Sequence, residues 1–181
     1  LNIMTNIDAL TRQKCLDLLK SHGTPPHVVA HCIAVADIAK LIALSLNNKG
    51  YHFDIRLVEA SGLLHDMART DEKHWEVAAD CLLSMGYQKE ADIIRVHMHH
   101  HFPESAALST ETDLVCLGDR LVMENQYVGL KRRMDYIMKK AGGNPEVIER
   151  IENNKVLVGR YISELESILG TTIEILVREQ E

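Results

Sequence analysis

Apolar residues recur at intervals of three and four along almost the whole chain, the spacing of one face of an α-helix. Thr5 to Lys20 carries Ile7, Leu10, Cys15, Leu18 and Leu19 at that spacing, and His22-Gly23 ends the run with glycine as a cap. Thr24-Pro25 reads as an N-cap followed by proline at the first helical position. It opens a helix to about Leu46 with the stripe Val28, Cys32, Val35, Ala36, Ala39, Ile42 and Ala43. After the loop Asn47-Asn48-Lys49-Gly50, Asp54 caps a third helix through Leu57, Ala60 and Leu64 to Asp66. A fourth is expected from about Lys73 to Met85, stopped by Gly86, and a fifth from Gln88 to about Met98. Phe102 to Thr110, with Pro103 and two serines, is the longest irregular stretch. A sixth helix is expected from about Glu111 to Asn125 on Val115, Cys116, Val122 and Met123, and a seventh from Tyr127 to Ala141. Past Gly142-Gly143-Asn144-Pro145 an eighth runs to Leu169. Gly170 then separates a tail whose apolar run, Ile173 to Val177, fits a helix better than a strand. The pattern predicts an all-α helical bundle, one domain over residues 1–181, with no internal repeat.

Four polar residues interrupt these stripes. His31 is in register with Val35, Ile38 and Ile42. His65 shares a face with Val58, Ser61 and Gly62, and Asp66 follows the apolar run Ser61-Gly62-Leu63-Leu64. Gly62, one turn before His65, removes a side chain where something must approach closely. Asp119 is in register with Val115 and Val122. Each alone has an ordinary reading: an imidazole bonded to a carbonyl, a His–Asp pair at a helix end, an Asp paired with a base. Together, two imidazoles and two carboxylates on core faces of three helices suit a divalent metal. Imidazole favours Mn, Fe, Co, Ni or Zn over Ca, with Mg also open, and helical bundles build such sites from facing helices.

Composition narrows the classes. The 181 residues are 46% hydrophobic and 25% charged with a formal net charge of −6, so coating of nucleic acid through a basic surface is disfavoured. No stretch approaches ~20 uninterrupted apolar residues, so no membrane span is expected. The first residues lack a basic segment before an apolar one, so no secretory signal is expected, and Met4 reads as the start of translation. Cys15, Cys32, Cys81 and Cys116 are widely spaced at apolar helical positions, which predicts buried free thiols in a reducing cytoplasm. Histidine is over-represented, with 10 residues, four of them in Val96-His97-Met98-His99-His100-His101; His99, His100 and His101 read as exposed loop residues.

The order His31, then Leu63-Leu64-His65-Asp66-Met67-Ala68-Arg69, then Leu117-Gly118-Asp119-Arg120 resembles the HD-domain metal-dependent phosphohydrolase superfamily, whose pattern is H…HD…D on a helical core. The resemblance covers about residues 24–125, leaving about 127–181 as a C-terminal helical extension. It implies that His31, His65, Asp66 and Asp119 hold a metal. His74 and His97 fall where many members carry further histidines, and could complete a second metal site or contact the phosphate. Arg69 stands where many members have Lys; it keeps the charge and can bind phosphate in bidentate fashion. The chain has no Gly-Tyr-Pro segment and no Glu at position 69, so it resembles neither the cyclic-di-GMP nor the 5′-nucleotidase branch.

The resemblance implies hydrolysis of a phosphate ester or anhydride, in a nucleotide-like small molecule, by metal-activated water. Asp66 would orient that water or take its proton, while Arg69 and His97 would neutralise charge on the phosphoryl oxygens. Two alternatives share the ligand set: a nucleotide-binding regulatory module with little turnover, and a di-iron oxygenase. The basic segment Lys131, Arg132, Arg133, Lys139 and Lys140 has two readings. It is either a phosphate-facing rim over the metal or a solvated face pairing with the acidic residues of 146–152. The apolar C-terminal helix could pack within the chain or form a homodimer. No membrane partner is expected.

Overall fold

The computed structural model describes residues 8–181. The reading of Met4 and the expected helical residues Thr5 to Ile7 lie outside them. The described chain forms α1 (Arg12–His22), α2 (Pro26–Asn47), α3 (Ile55–Leu64), α4 (His74–Ser84), α5 (Gln88–Val96), α6 (Glu111–Leu121), α7 (Gly129–Lys140), α8 (Pro145–Leu169) and α9 (Ile173–Arg178). Short 3-10 turns cover His97–His99 and Ala106–Leu108. The fold class is all-α, as the periodicity predicts.

The central helix is α2, whose two faces serve two cores. Val35, Ile38, Ala39, Ile42, Ala43 and Leu46 pack with α6, α8 and α9 residues, among them Leu117, Leu121, Val158, Leu165 and Ile173. Ala36 faces the other cluster, made with Leu19 of α1, Leu63 and Leu64 of α3, Leu82 of α4 and Ile94 of α5. A fully buried Leu or Ile of this kind contributes about 2 kcal/mol through burial. By length and composition α2 is also the described helix long and apolar enough to cross a membrane; here its apolar stripe is covered by its neighbours.

Two glycines set the spacing around α2. A Cβ at Gly62 of α3 would lie 2.8 Å from Ala36 Cα, and one at Gly118 of α6 would lie 2.9 Å from the Val35 carbonyl oxygen. Neither side could accept a methyl group without moving backbone, so α3 and α6 both lie directly against α2 just past His31. The close approach read at Gly62 is therefore the α2 backbone itself.

Three local expectations need correction. Helix α1 starts at Arg12, where the Thr11 side chain accepts from Lys14 N; Leu10, extended before it, is still buried. Thr24 does not cap α2. Pro25 takes that position without a side-chain bond, and the Thr24 hydroxyl donates to the Met67 carbonyl at 2.7 Å. This ties the entry of α2 to the turn after His65-Asp66. Helix α6 stops at Leu121, and Val122–Met123 pairs antiparallel with Gln126–Tyr127. The link between them holds Glu124 at φ 54, a left-handed conformation that a right-handed helix cannot pass through.

All four cysteines are free; Cys15, Cys32 and Cys116 are buried as expected, but Cys81 is only partly buried. Burial pushes the Cys15 and Cys116 thiols up to about 12, so both are inert at neutral pH.

Candidate metal centre

The helix ends explain where the imidazoles point. The last carbonyls of a helix have no intrahelical donor. His65 caps α3 and His97 caps α5. Each ring bonds the carbonyl three residues back through Nδ1, His65 to Gly62 at 2.8 Å and His97 to Ile94 at 2.7 Å. His31, inside α2, reaches the carbonyl of Glu124 at 2.7 Å. A carbonyl oxygen only accepts, so in all three rings Nδ1 carries a proton, which leaves Nε2 as the atom that takes a second proton or a metal ion.

The Nε2 atoms face carboxylates. His31 Nε2 is 3.1 Å from Asp119 Oδ1 and 4.0 Å from Asp66 Oδ2. His65 Nε2 is 3.6 Å from Asp119 Oδ1 and 3.7 Å from Asp66 Oδ2. His97 Nε2 is 3.6 Å and His74 Nε2 3.1 Å from Asp66 Oδ1. The Nε2 atoms of His65, His74 and His97 are buried and make no hydrogen bond. An imidazole lone pair opposite a carboxylate oxygen is repulsive unless positive charge lies between them. Buried, unpaired and convergent, these atoms form a donor set for cations. The backbone bond on the far side of the ring is the usual support for a histidine ligand.

Two triads could each hold an ion: His31, His65 and Asp119, and Asp66, His74 and His97. Asp66 links them, one oxygen facing His31 and His65 and the other facing His74 and His97. The six residues proposed from the sequence as metal or substrate groups are thus brought to one place, but divided differently. Asp66 sits with His74 and His97 rather than only with the first set.

The electrostatics agree with a site that demands cations. Burial works to raise the Asp66 carboxyl, but the facing His65 charge and the nearby His74 and His97 rings outweigh it and hold it far below the ordinary carboxylate value. Burial likewise opposes ionisation of Asp119, and His31 and His65 overcome it and hold the group well below normal. Burial disfavours a charged His65, yet Asp66, the Cys32 thiol and Asp119 lift its pKa well above the usual value.

His74 differs from the other rings. Its Nδ1 lies 3.4 Å from an Arg69 guanidinium nitrogen rather than a carbonyl. The guanidinium can only donate, which puts the His74 proton on Nε2, toward Asp66. Arg69 also approaches Asp66, Nε to Oδ2 at 3.7 Å, while about half of its side chain is exposed. His74 opens α4 behind Lys73 at φ 49.

A cavity of about 770 Å³ opens above these groups, within the range of small-molecule sites. His31, Asp66, His97 and Asp119 line its floor, Arg69 its edge, and Arg133, Tyr136 and Lys140 of α7 one wall. The basic segment divides between cavity and solvent. Arg133 and Lys140 face the cavity, Lys131 pairs with Asp135 of its own helix, and no pair with 146–152 forms among the described residues. The reading of the histidine run is corrected at His100, which is half-buried, its Nε2 2.6 Å from Asp113 Oδ1. His99 and His101 are exposed.

Sequence reasoning missed Glu124 and Tyr136. Glu124 contributes only a backbone carbonyl, which no residue type announces; its unusual φ is the structural signal, of the kind that concentrates at functional sites.

Residues 28–124 match the HD domain. The chain belongs to this family of metal-dependent phosphohydrolases, as the H…HD…D order implied. Among similar proteins, an uncharacterized protein of Methanocaldococcus jannaschii is 30% identical over 77% of this chain and 91% of its own length. A tRNA (cytidine(56)-2'-O)-methyltransferase of Thermoplasma volcanium is 29% identical over 77% of this chain but 44% of its own length. A ribonuclease Y of Protochlamydia amoebophila is 28% identical over 62% of this chain and 21% of its own length. The shared part is thus a minor portion of the last two. No solved structure matches the chain.

Proposed function

We propose that this chain hydrolyses a phosphate ester or anhydride in a nucleotide-like small molecule, using two divalent ions. The observation that carries this is Asp66, whose one carboxylate oxygen groups with His74 and His97 while the other faces His31 and His65, at a cavity lined by cations.

His31, His65 and Asp119 would hold one ion, and Asp66, His74 and His97 the other. Bound there, divalent ions supply Lewis acidity toward a phosphoryl oxygen and a water acidic enough to attack at neutral pH. The chain's own residues do the rest. The backbone bonds of His31, His65 and His97 hold their rings fixed before substrate arrives, so little reorganisation remains. To ligate through Nε2, His74 would shift its one proton from Nε2 to Nδ1, which requires Arg69 to leave Nδ1. Half-exposed, Arg69 then turns toward the cavity, where its fork matches the phosphoryl oxygens. Asp66 has the placement to orient the attacking water.

The cations on the cavity wall favour an anionic substrate. They weigh toward phosphoryl transfer and against an oxygenase acting on an uncharged organic molecule. The test is a phosphatase panel run with Mn or Ni on the wild type and on Asp66→Ala. Metal-dependent turnover that falls at least a thousandfold in the variant is expected. A reconstituted wild type that binds nucleotides but turns over nothing would replace this reading with the regulatory one. Oxygen consumption with an organic substrate would replace it with the oxygenase.

A further inference from the structure

The α7 wall lies beyond the residues that match the HD domain, and it has a chemistry of its own. Arg133, Tyr136 and Lys140 are spaced by three and four, one face of the helix. All three line the cavity whose floor holds Asp66 and Asp119. Arg133 Cζ sits 5.9 Å from the Tyr136 ring centroid and Lys140 Nζ sits 4.6 Å from it, so one aromatic ring carries both cations. Among the described residues neither head has a carboxylate at salt-bridge distance. The Nε–H of Arg133 is buried and has no hydrogen-bond partner.

A buried guanidinium N–H without an acceptor is unfavourable unless a ligand supplies one. Other bases of the same helix do not share this position. Lys131 is exposed and neutralised by Asp135, and Lys139 is exposed. The cavity is also much larger than one phosphoryl group requires. We infer that Arg133 and Lys140 form a second anion site, so that the substrate is a small molecule with two phosphoryl groups. One is cleaved at the histidine–aspartate floor and the other is held at α7. The first half of that statement rests on the function proposed above; the anion site does not.

The test is calorimetric binding to the full chain, with Mn present and again with chelator. The probes are adenosine 5′-monophosphate, adenosine 5′-diphosphate, adenosine 3′,5′-bisphosphate and an RNA octamer. The wild type is expected to bind one of the two doubly phosphorylated probes at least tenfold tighter than the monophosphate. In Arg133→Gln/Lys140→Gln that ratio falls to about one. Arg133→Lys, which keeps the charge, retains most of it, and Lys131→Gln on the solvent face retains all of it. If the double variant does not fold, the single Lys140→Gln decides, with an expected threefold to fivefold loss in the ratio. A wild type without the preference, or a double variant that keeps it, overturns the inference, as does tighter binding of the octamer than of either small probe. If the preference is present and depends on Arg133 and Lys140 while no probe is hydrolysed, the anion site stands and the phosphohydrolase reading falls.

Discussion

The floor of the cavity and its α7 wall are both made of charged side chains on helices, yet they are built in opposite ways. At the floor, Asp66 and His97, with His65 and His74 behind them, are buried, their positions set by helix ends and by α3 and α6 lying against α2. On the wall, Lys140 and Tyr136 are exposed and Arg133 is half-buried, with both cations over the Tyr136 ring. A floor of this kind has its geometry settled before a ligand arrives, which is what cation binding and transition-state stabilisation need. A wall of this kind can be altered without disturbing the fold, which is where selectivity among related substrates is most readily varied.

The difference predicts that damage to the floor costs the fold and the site together. Gly62→Val should destabilise the chain by about 3 kcal/mol through overpacking against the Ala36 backbone. It should also lower metal content, because the added methyl groups push His65 away from His31. Urea unfolding and elemental analysis on one preparation would read both. A folded variant with full metal content would show that the α2–α3 approach does not position the site.

Damage to the wall should separate the two effects. Met134, the almost fully buried residue of α7, anchors the helix to the core. Met134→Ala should cost about 2 kcal/mol in urea unfolding while metal content stays at the wild-type value. Metal loss in this variant would mean that floor and wall are one unit.

A smaller effect should appear far from both. Glu59 of α3 accepts from Arg12 at 2.9 Å and from Lys40 at 3.0 Å. Burial works to raise its carboxyl, but the bonds from Arg12 and Lys40 outweigh it and hold the pKa below the ordinary 4.5. A depressed folded-state pKa contributes stability above the unfolded value and loses it as pH falls through the folded one. Glu59→Gln should therefore cost about 1 kcal/mol at pH 7. The gap between variant and wild type should shrink as pH drops below 4.5. A gap unchanged at low pH would mean that the charge contributes nothing.

The floor was legible in the sequence and the wall only in part, for a physical reason. His31, His65, Asp66 and Asp119 interrupt apolar stripes, and a polar residue at a core position is conspicuous without knowing the fold. The phase of α7 against the cavity is tertiary information. Five basic residues in a row of fourteen could be counted, but not which two face inward. The hairpin at 122–127 is hidden in the sequence because Val122 and Met123 continue the stripe of α6, extending the expected helix to about Asn125, and Glu124-Asn125 lacks the glycine that usually marks such a turn. With it the Glu124 carbonyl, which orients His31, was out of reach. The His100–Asp113 pair joins residues on different elements, and spacing alone does not reveal it.

Whether Asp66 joins two cation sites into one centre is tested most directly by elemental analysis after saturation with Mn and removal of free metal, on wild type and Asp66→Ala side by side. Two metals per wild-type chain, falling below one in the variant, is the expected result. A wild type that retains none, or a variant that retains both, would contradict it.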